Sequence, residues 1–318
     1  MTLVASNPMN LMQFSVDVIG PVVILLAAGK LLHARGKLSD DFIANGSSLV
    51  FNFALPALLF ISISQANFEQ AANVELISIG LLITLMFFAL SAVIVQLVFP
   101  CRADRGVIVQ GSFRANLGVV GLAYAANAFG TEDFAQASVF MGALVLLYNI
   151  LSVWVLNLYL PKRMNTWQTF TSLLSNPIML AIIAALVFTY NDWQLPQIVN
   201  TSTQYFAQLT LPLALLCTGA AIRFRGMRGQ LNALIFTIVC KCLLYPLAMV
   251  GAGIYWDLGE TELLTMLFMS IAPTAAVSFI MVKKMGGNAD LAANIVAITT
   301  IVSIPVTLVG YGWVINVL

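Results

Sequence analysis

The chain has 318 residues, of which 60% are hydrophobic and only 8% are charged, with a formal net charge of +1. Soluble globular chains carry about a quarter charged residues, so this composition excludes an ordinary soluble domain. The apolar residues fall in blocks of about twenty, long enough to cross a hydrocarbon core of about 30 Å as helices.

Ten such blocks follow one another: about 12–32, 42–64, 74–99, 106–129, 134–159, 170–190, 200–222, 230–256, 261–284 and 289–317. A closed β-barrel would need shorter, alternating segments with polar inward faces, which these are not. The expected fold is therefore an all-α polytopic membrane protein with ten transmembrane helices. Its connections are too short to hold a soluble domain. The first sixteen residues carry no Lys or Arg, so no cleavable signal is expected and the first span must direct insertion. Cys217, Cys240 and Cys242 fall inside spans and Cys101 in a loop, a pattern of apolar fillers rather than of disulfides or a metal site.

The blocks also repeat. Pro21 and Pro177 open matching segments, Pro56 and Pro212 recur at the same separation, and the turn Gly130–Ala135 recurs at Gly287–Ala292 one residue out of step. Three anchors in one order predict a duplication, 1–163 and 164–318, each of five helices. An odd number of crossings per copy turns the second copy upside down, as in many secondary transporters. The charges agree. Lys30, Arg35, Lys37, Arg102, Arg105, Lys162, Arg163, Arg223, Arg225, Arg228, Lys283 and Lys284 all follow odd-numbered spans. Glu69, Glu75, Glu132, Asp133, Asp192, Asp257, Glu260 and Glu262 lie in the opposite loops. The positive-inside rule then predicts a multi-pass protein of the cell (inner or plasma) membrane, with both termini outside the cytoplasm.

Two cations break that pattern, Arg114 in span four and Lys241 in span eight. Arg114 lies about 12 Å inside the boundary, and Lys241 lies deeper. A charge at that depth costs at least about 2.5–3.5 kcal/mol unless it meets water or a partner. Arg114 can snorkel to the headgroups, or it can serve an anion, since a guanidinium binds a carboxylate through two parallel hydrogen bonds. Its setting, Gly111-Ser112-Phe113-Arg114-Ala115-Asn116-Leu117-Gly118-Val119-Val120-Gly121, is poor lipid-facing helix and good close-packed or unwound backbone. Lys241, with Pro246 following, either points to a cavity or pairs with Asp17 or an interface. In span nine, Pro273 should open the helix around residues 269–273. Asn116 and Pro273 both fall mid-span, so two interrupted helices could cross there and line a small polar site. Asn52 and Gln208 precede the repeated prolines by one turn and can simply repair the kinks. Asn149, Ser152, Asn294, Thr299, Thr300 and Ser303 read as interhelical glue. His33 reads as a solvated interfacial residue. Asp17 is the only acid within a span and, with Lys241, is a candidate for coupling.

Asn116-x-Gly118-x-x-Gly121 in span four and Pro273-Thr274-Ala275 in span nine resemble the auxin efflux carrier family, whose bacterial members include malonate and malate permeases. The resemblance covers nearly the whole chain. It implies a scaffold of spans one, two, six and seven, often dimeric, and a moving unit of spans three to five and eight to ten. It places substrate at Asn116, Leu117, Gly118, Pro273 and Thr274, with Asn149 beside them, Arg114 as in some bacterial relatives, and Gly111, Gly121, Pro56 and Pro212 as breaks or hinges. Ala123 stands where many relatives have proline, so the break in span four must rest on glycines. The function expected is secondary active transport of a small organic anion, a mono- or dicarboxylate, by alternating access. The implied partners are that anion, the lipid bilayer and a second copy of the chain, with no nucleic acid. No cofactor is expected, and H⁺ or Na⁺ coupling stays open. An enzyme is not expected, because no nucleophile–base pair, H-E-x-x-H or paired intramembrane aspartates occur. A passive channel or uniporter, or a transporter-derived sensor, is the alternative left open.

Overall fold

A computed structural model describes residues 15–65, 72–160, 177–191, 193–222 and 229–317. The expectations for Glu69, Lys162, Arg163, Asp192, Arg223, Arg225 and Arg228 fall outside those residues. The described chain is helical throughout: α1 (Gly20–Ala34), α2 (Asp40–Ser64), α3 (Val74–Val98), α4 (Arg102–Phe113), α5 (Leu117–Ala128) and α6 (Thr131–Tyr159). They are followed by α7 (Pro177–Tyr190), α8 (Gln197–Ala221), α9 (Leu231–Tyr255), α10 (Glu260–Ile271), α11 (Val277–Lys284) and α12 (Ala289–Val317). Among the described residues, six helices are long and apolar enough to cross a membrane: α1 with the turn before it, α2, α3, α6, α9 and α12. The predicted spans four and nine are each interrupted, as α4/α5 and α10/α11. The predicted span seven is α8, a helix of 25 residues outside those six, whose first turns are rich in Asn, Thr, Ser and Gln.

Local chemistry sets the ends and bends. Ser39 Oγ accepts the Phe42 N–H at the start of α2, and Asn73 Oδ1 accepts the Leu76 N–H at the start of α3; each satisfies a donor with no partner in its own helix. Pro21, Pro56 and Pro246 each follow a widened turn, Ser15–Ile19, Val50–Ala54 and Val239–Leu244. A proline ring clashes with the carbonyl one turn back, so the preceding bonds stretch to a five-residue step: Leu55 N–H to Val50 O, and Tyr245 N–H to Cys240 O.

The element lengths recur. The first half gives helices of 25, 12 and 29 residues (α3, α4, α6), and the second half gives 25, 12 and 29 (α9, α10, α12). Both α2 and α8 have 25 residues.

Packing divides the helices into two groups. In one, α8 lies along α1 and α2, and α7 along α2; in the other, α3–α6 pack with α9–α12; the second half of α2, with α7, also packs on α6 and joins the two. The α1–α8 contact is very close. A Cβ on Gly29 would lie 2.0 Å from Leu216 O, and one on Gly219 would lie 2.0 Å from Leu26 O. Only glycine permits that backbone approach. Thr189 Oγ1 of α7 donates to Ile63 O of α2 at 2.7 Å.

Candidate functional site

The two interrupted helix pairs enter the second group from opposite ends of α3. Near the start of α3, Asn73 Nδ2 donates to Glu262 Oε1 in the first turn of α10 at 3.2 Å, and Gln136 Nε2 of α6 donates to the same oxygen at 3.0 Å. Just beyond the far end of α3, Phe99 O accepts from Arg105 Nε in the first turn of α4 at 2.7 Å. Thus α4 and α10 run toward each other, and their broken ends meet.

The meeting is made of backbone. After Phe113 the chain turns extended, with Arg114 at φ −73° and ψ 100° and Asn116 at φ −81° and ψ 65°. After Ile271 it does the same, with Ala272 at φ −50° and ψ 138°. The two extended pieces pair antiparallel at Ala115 and Thr274. Asn116 N–H donates to Pro273 O at 2.7 Å, and Ala275 N–H donates to Arg114 O at 3.1 Å. Peptide groups that leave a helix inside an apolar slab must find partners, and each broken strand supplies the other's. Side chains complete the joint: Thr274 Oγ1 donates to Gly111 O at 2.8 Å, and Thr299 Oγ1 of α12 accepts the Thr274 N–H at 3.1 Å.

Arg114 is buried, 6% exposed, and directed at α6 rather than back along α4. Its Nη1 donates to Ser152 Oγ at 2.8 Å and to Tyr148 O at 3.3 Å, its Nη2 donates to Asn149 Oδ1 at 2.7 Å, and its Nε has no partner. Lys241 is fully buried, and its ammonium donates to Ser270 O at the end of α10 and sits 5.1 Å from the Tyr245 ring. Tyr245 Oη is hydrogen-bonded to Tyr148 Oη at 2.7 Å and to Thr84 Oγ1 at 2.8 Å. No carboxylate lies within ion-pair distance of Arg114 or Lys241 among the described residues. His33 Nε2 lies 3.1 Å from Asp40 Oδ1, within hydrogen-bond distance. No group of three His, Cys, Asp or Glu among the described residues could hold a metal.

The structure therefore brings together Arg114, Asn116, Leu117, Gly118, Pro273 and Thr274, with Asn149 joined through Arg114 and Lys241 through Ser270. Gly111 lies inside α4, where a Cβ would lie 2.9 Å from Ile295 Cγ2. Gly121 closes the widened turn Leu117–Gly121, where a Cβ would lie 2.9 Å from Met269 Sδ. Pro56 and Pro212 sit in the other helix group, and Leu55, next to Pro56, faces Gly118 across the boundary, 3.1 Å from where a Cβ would stand. Asp17 is exposed and makes no ion pair with Lys241 or Arg114. Asn52 is also exposed and bonds Ser48 at 3.0 Å. Thr84, Tyr148, Tyr245 and the Ser270 carbonyl escape sequence reasoning, because a hydroxyl or phenol within a span reads as packing until its neighbours are known.

A family model described as a membrane transport protein matches residues 14–311. An uncharacterized transporter of Methanothermobacter thermautotrophicus is 24% identical over 298 residues, covering 91% of this chain and 95% of that protein. The uncharacterized transporter YfdV of Escherichia coli is 20% identical over 308 residues, covering 90% of this chain and 94% of YfdV. The uncharacterized transporter MJ1031 of Methanocaldococcus jannaschii is 21% identical over 309 residues, covering 94% and 98%. With the family match extending over nearly all of the sequence and both interrupted helices inside it, this chain belongs to the membrane transport protein family of the auxin efflux carriers.

Proposed function

We propose that the protein is a secondary active transporter of a small organic anion, a mono- or dicarboxylate, working by alternating access. The observation that carries the reading is the pair of buried cations at the crossing, Arg114 and Lys241, with no carboxylate in reach of either and with Arg114 Nε unpartnered. A buried charge left without a counter-charge is costly, and an anionic substrate supplies one. The N-terminal end of α5 starts at the same place and adds partial positive charge. The repeated helix lengths and the antiparallel meeting of α4 and α10 support two inverted five-helix copies of ten spans in all. The positive-inside charge pattern supports termini outside the cytoplasm in the cell membrane. In this reading α1, α2, α7 and α8 form a scaffold, through which a second copy docks, and the remaining helices carry the site across the membrane.

The test uses purified protein with malonate, malate and acetate. A carboxylate at 100 times its Kd stabilises the folded state by about 2.7 kcal/mol, seen as a rise in Tm. Arg114→Ala is expected to weaken that ligand by about 2–5 kcal/mol, as truncation of one partner of a buried charge pair does. In proteoliposomes a carrier exchanges labelled for unlabelled malonate against a gradient. Binding without counterflow would instead indicate a channel or a sensor. An Arg114→Ala protein that still takes up carboxylate at the wild-type rate would sink the assignment of this site.

A further inference from the structure

The carbonyl that Lys241 holds is free for a specific reason. In an unbroken helix, Ser270 O would accept the N–H of Thr274; here that N–H is turned to Thr299 Oγ1 at 3.1 Å. Pro273 has no N–H, so Met269 O also lacks its usual donor. The end of α10 therefore presents bare carbonyls, and with them the negative end of a helix dipole, to a region shut off from water. Interrupted helices use such ends as ligands for small cations. The Lys241 ammonium fills this one, fully buried, against Ser270 O and over the Tyr245 ring. A ring face attracts a cation as well. Thr84 occupies the same step of the 25-residue α3 that Lys241 occupies in α9, and it donates to Gly80 O while bonding the phenol of Tyr245. The first copy thus has a neutral hydroxyl where the second has an ammonium.

We propose that Lys241 is a built-in cation, occupying at the end of α10 the place that a bound alkali ion would take, so that the protein needs no such ion at this position. The role it implies in transport rests on the carrier reading above, but the site itself does not. An ammonium and an alkali ion carry the same charge and accept the same oxygen ligands. The difference is that the lysine is tethered and cannot leave, so its charge stays with the protein in every state of the cycle.

Thermal unfolding of the detergent-purified protein is measured in NaCl, LiCl, KCl and choline chloride at equal ionic strength. The wild type is expected to melt at the same temperature in all four. Lys241→Ala opens the space and leaves the carbonyls bare, so its lowered Tm should rise saturably, by at least a few degrees, in one or more alkali chlorides relative to choline. Lys241→Met fills the space without charge and should stay insensitive to the salt chosen; Lys241→Ser serves if Lys241→Ala does not fold. A wild type stabilised saturably by an alkali chloride over choline overturns the proposal. So does a monodisperse Lys241→Ala or Lys241→Ser protein that melts identically in all four salts. If neither small variant folds, the wild-type comparison decides alone. No substrate enters the assay, so failure here leaves malonate binding and its loss in Arg114→Ala untouched, and the converse holds.

Discussion

Gly29 and Gly219 show how much one missing carbon can permit. Each faces a main-chain carbonyl of the other helix, with 2.0 Å left for a Cβ, far inside any non-bonded carbon–oxygen contact. Gly29→Ala and Gly219→Ala should each therefore force α1 away from α8 and lower stability by about 1–3 kcal/mol. Gly251→Ala is the control, since nothing lies within 4 Å of its Cβ position; removing a helix-interior glycine there should leave Tm unchanged or raise it. Melting curves of the three variants in one detergent check this. Single residues also mark how far the sequence could be read. Arg114 stood out because a charge at that depth needs a reason, and the structure keeps it buried. Its partners Ser152 and Asn149 could be suspected only as glue. Lys241 invited a search for an acid and pointed at Asp17, yet its partner is a carbonyl. Every residue has a carbonyl, and only the direction of the break decides which one is free.

At the scale of helices, hydropathy gave the bounds of most described helices to within a few residues, and Pro273 announced the interruption between α10 and α11. The other interruption had no proline to announce it. The sequence put that break near Asn116 and rested it on the glycines of span four, and the chain leaves the helix at Arg114–Asn116, between Gly111 and Gly118. At the break the chain pairs with the other extended piece. Asn116 N–H and Arg114 O exchange bonds with residues 273 and 275, a pairing invisible until both halves are placed together. That difference can be tested. Pro273→Ala restores the missing N–H but leaves the carbonyl at 273 to accept from Asn116. If proline alone made the break, α10 and α11 would fuse and the pairing would be lost. If the pairing holds it, amide hydrogen exchange at Asn116 and Ala275 should stay as slow as in the wild type, and the melting temperature should fall only modestly.

For the whole molecule, the two groups of helices meet across a boundary lined by glycine and apolar side chains. A Cβ on Gly142 of α6 would lie 2.4 Å from Ile182 Cδ1 of α7, and Gly118 has Leu55 against it. Polar contact across the boundary is exemplified by Asn127 Nδ2 donating to Val18 O at 3.0 Å. Within the groups, by contrast, buried bonds tie helix to helix, from Thr189 to Ile63 on one side and through Thr84, Tyr245 and Tyr148 on the other. The proposed alternation requires each group to move as a unit, sliding at this boundary. Leu55 and Gly118 offer the most direct hold on the proposed motion, because they join α2 to the start of α5 beside the crossing. Leu55→Cys combined with Gly118→Cys, with Cys101, Cys217, Cys240 and Cys242 replaced by serine or alanine, places two thiols face to face across the boundary. Mercuric ion should bridge them and stop malonate counterflow in proteoliposomes, and excess thiol should restore it. Gly118→Cys alone sets the baseline, because mercury on a thiol at the crossing can obstruct the site by itself; bridging is read as the further loss of counterflow in the double variant. Bridging that occurs in full while counterflow continues would mean that α2 and α5 travel together, and the line between moving and fixed parts would have to be drawn elsewhere.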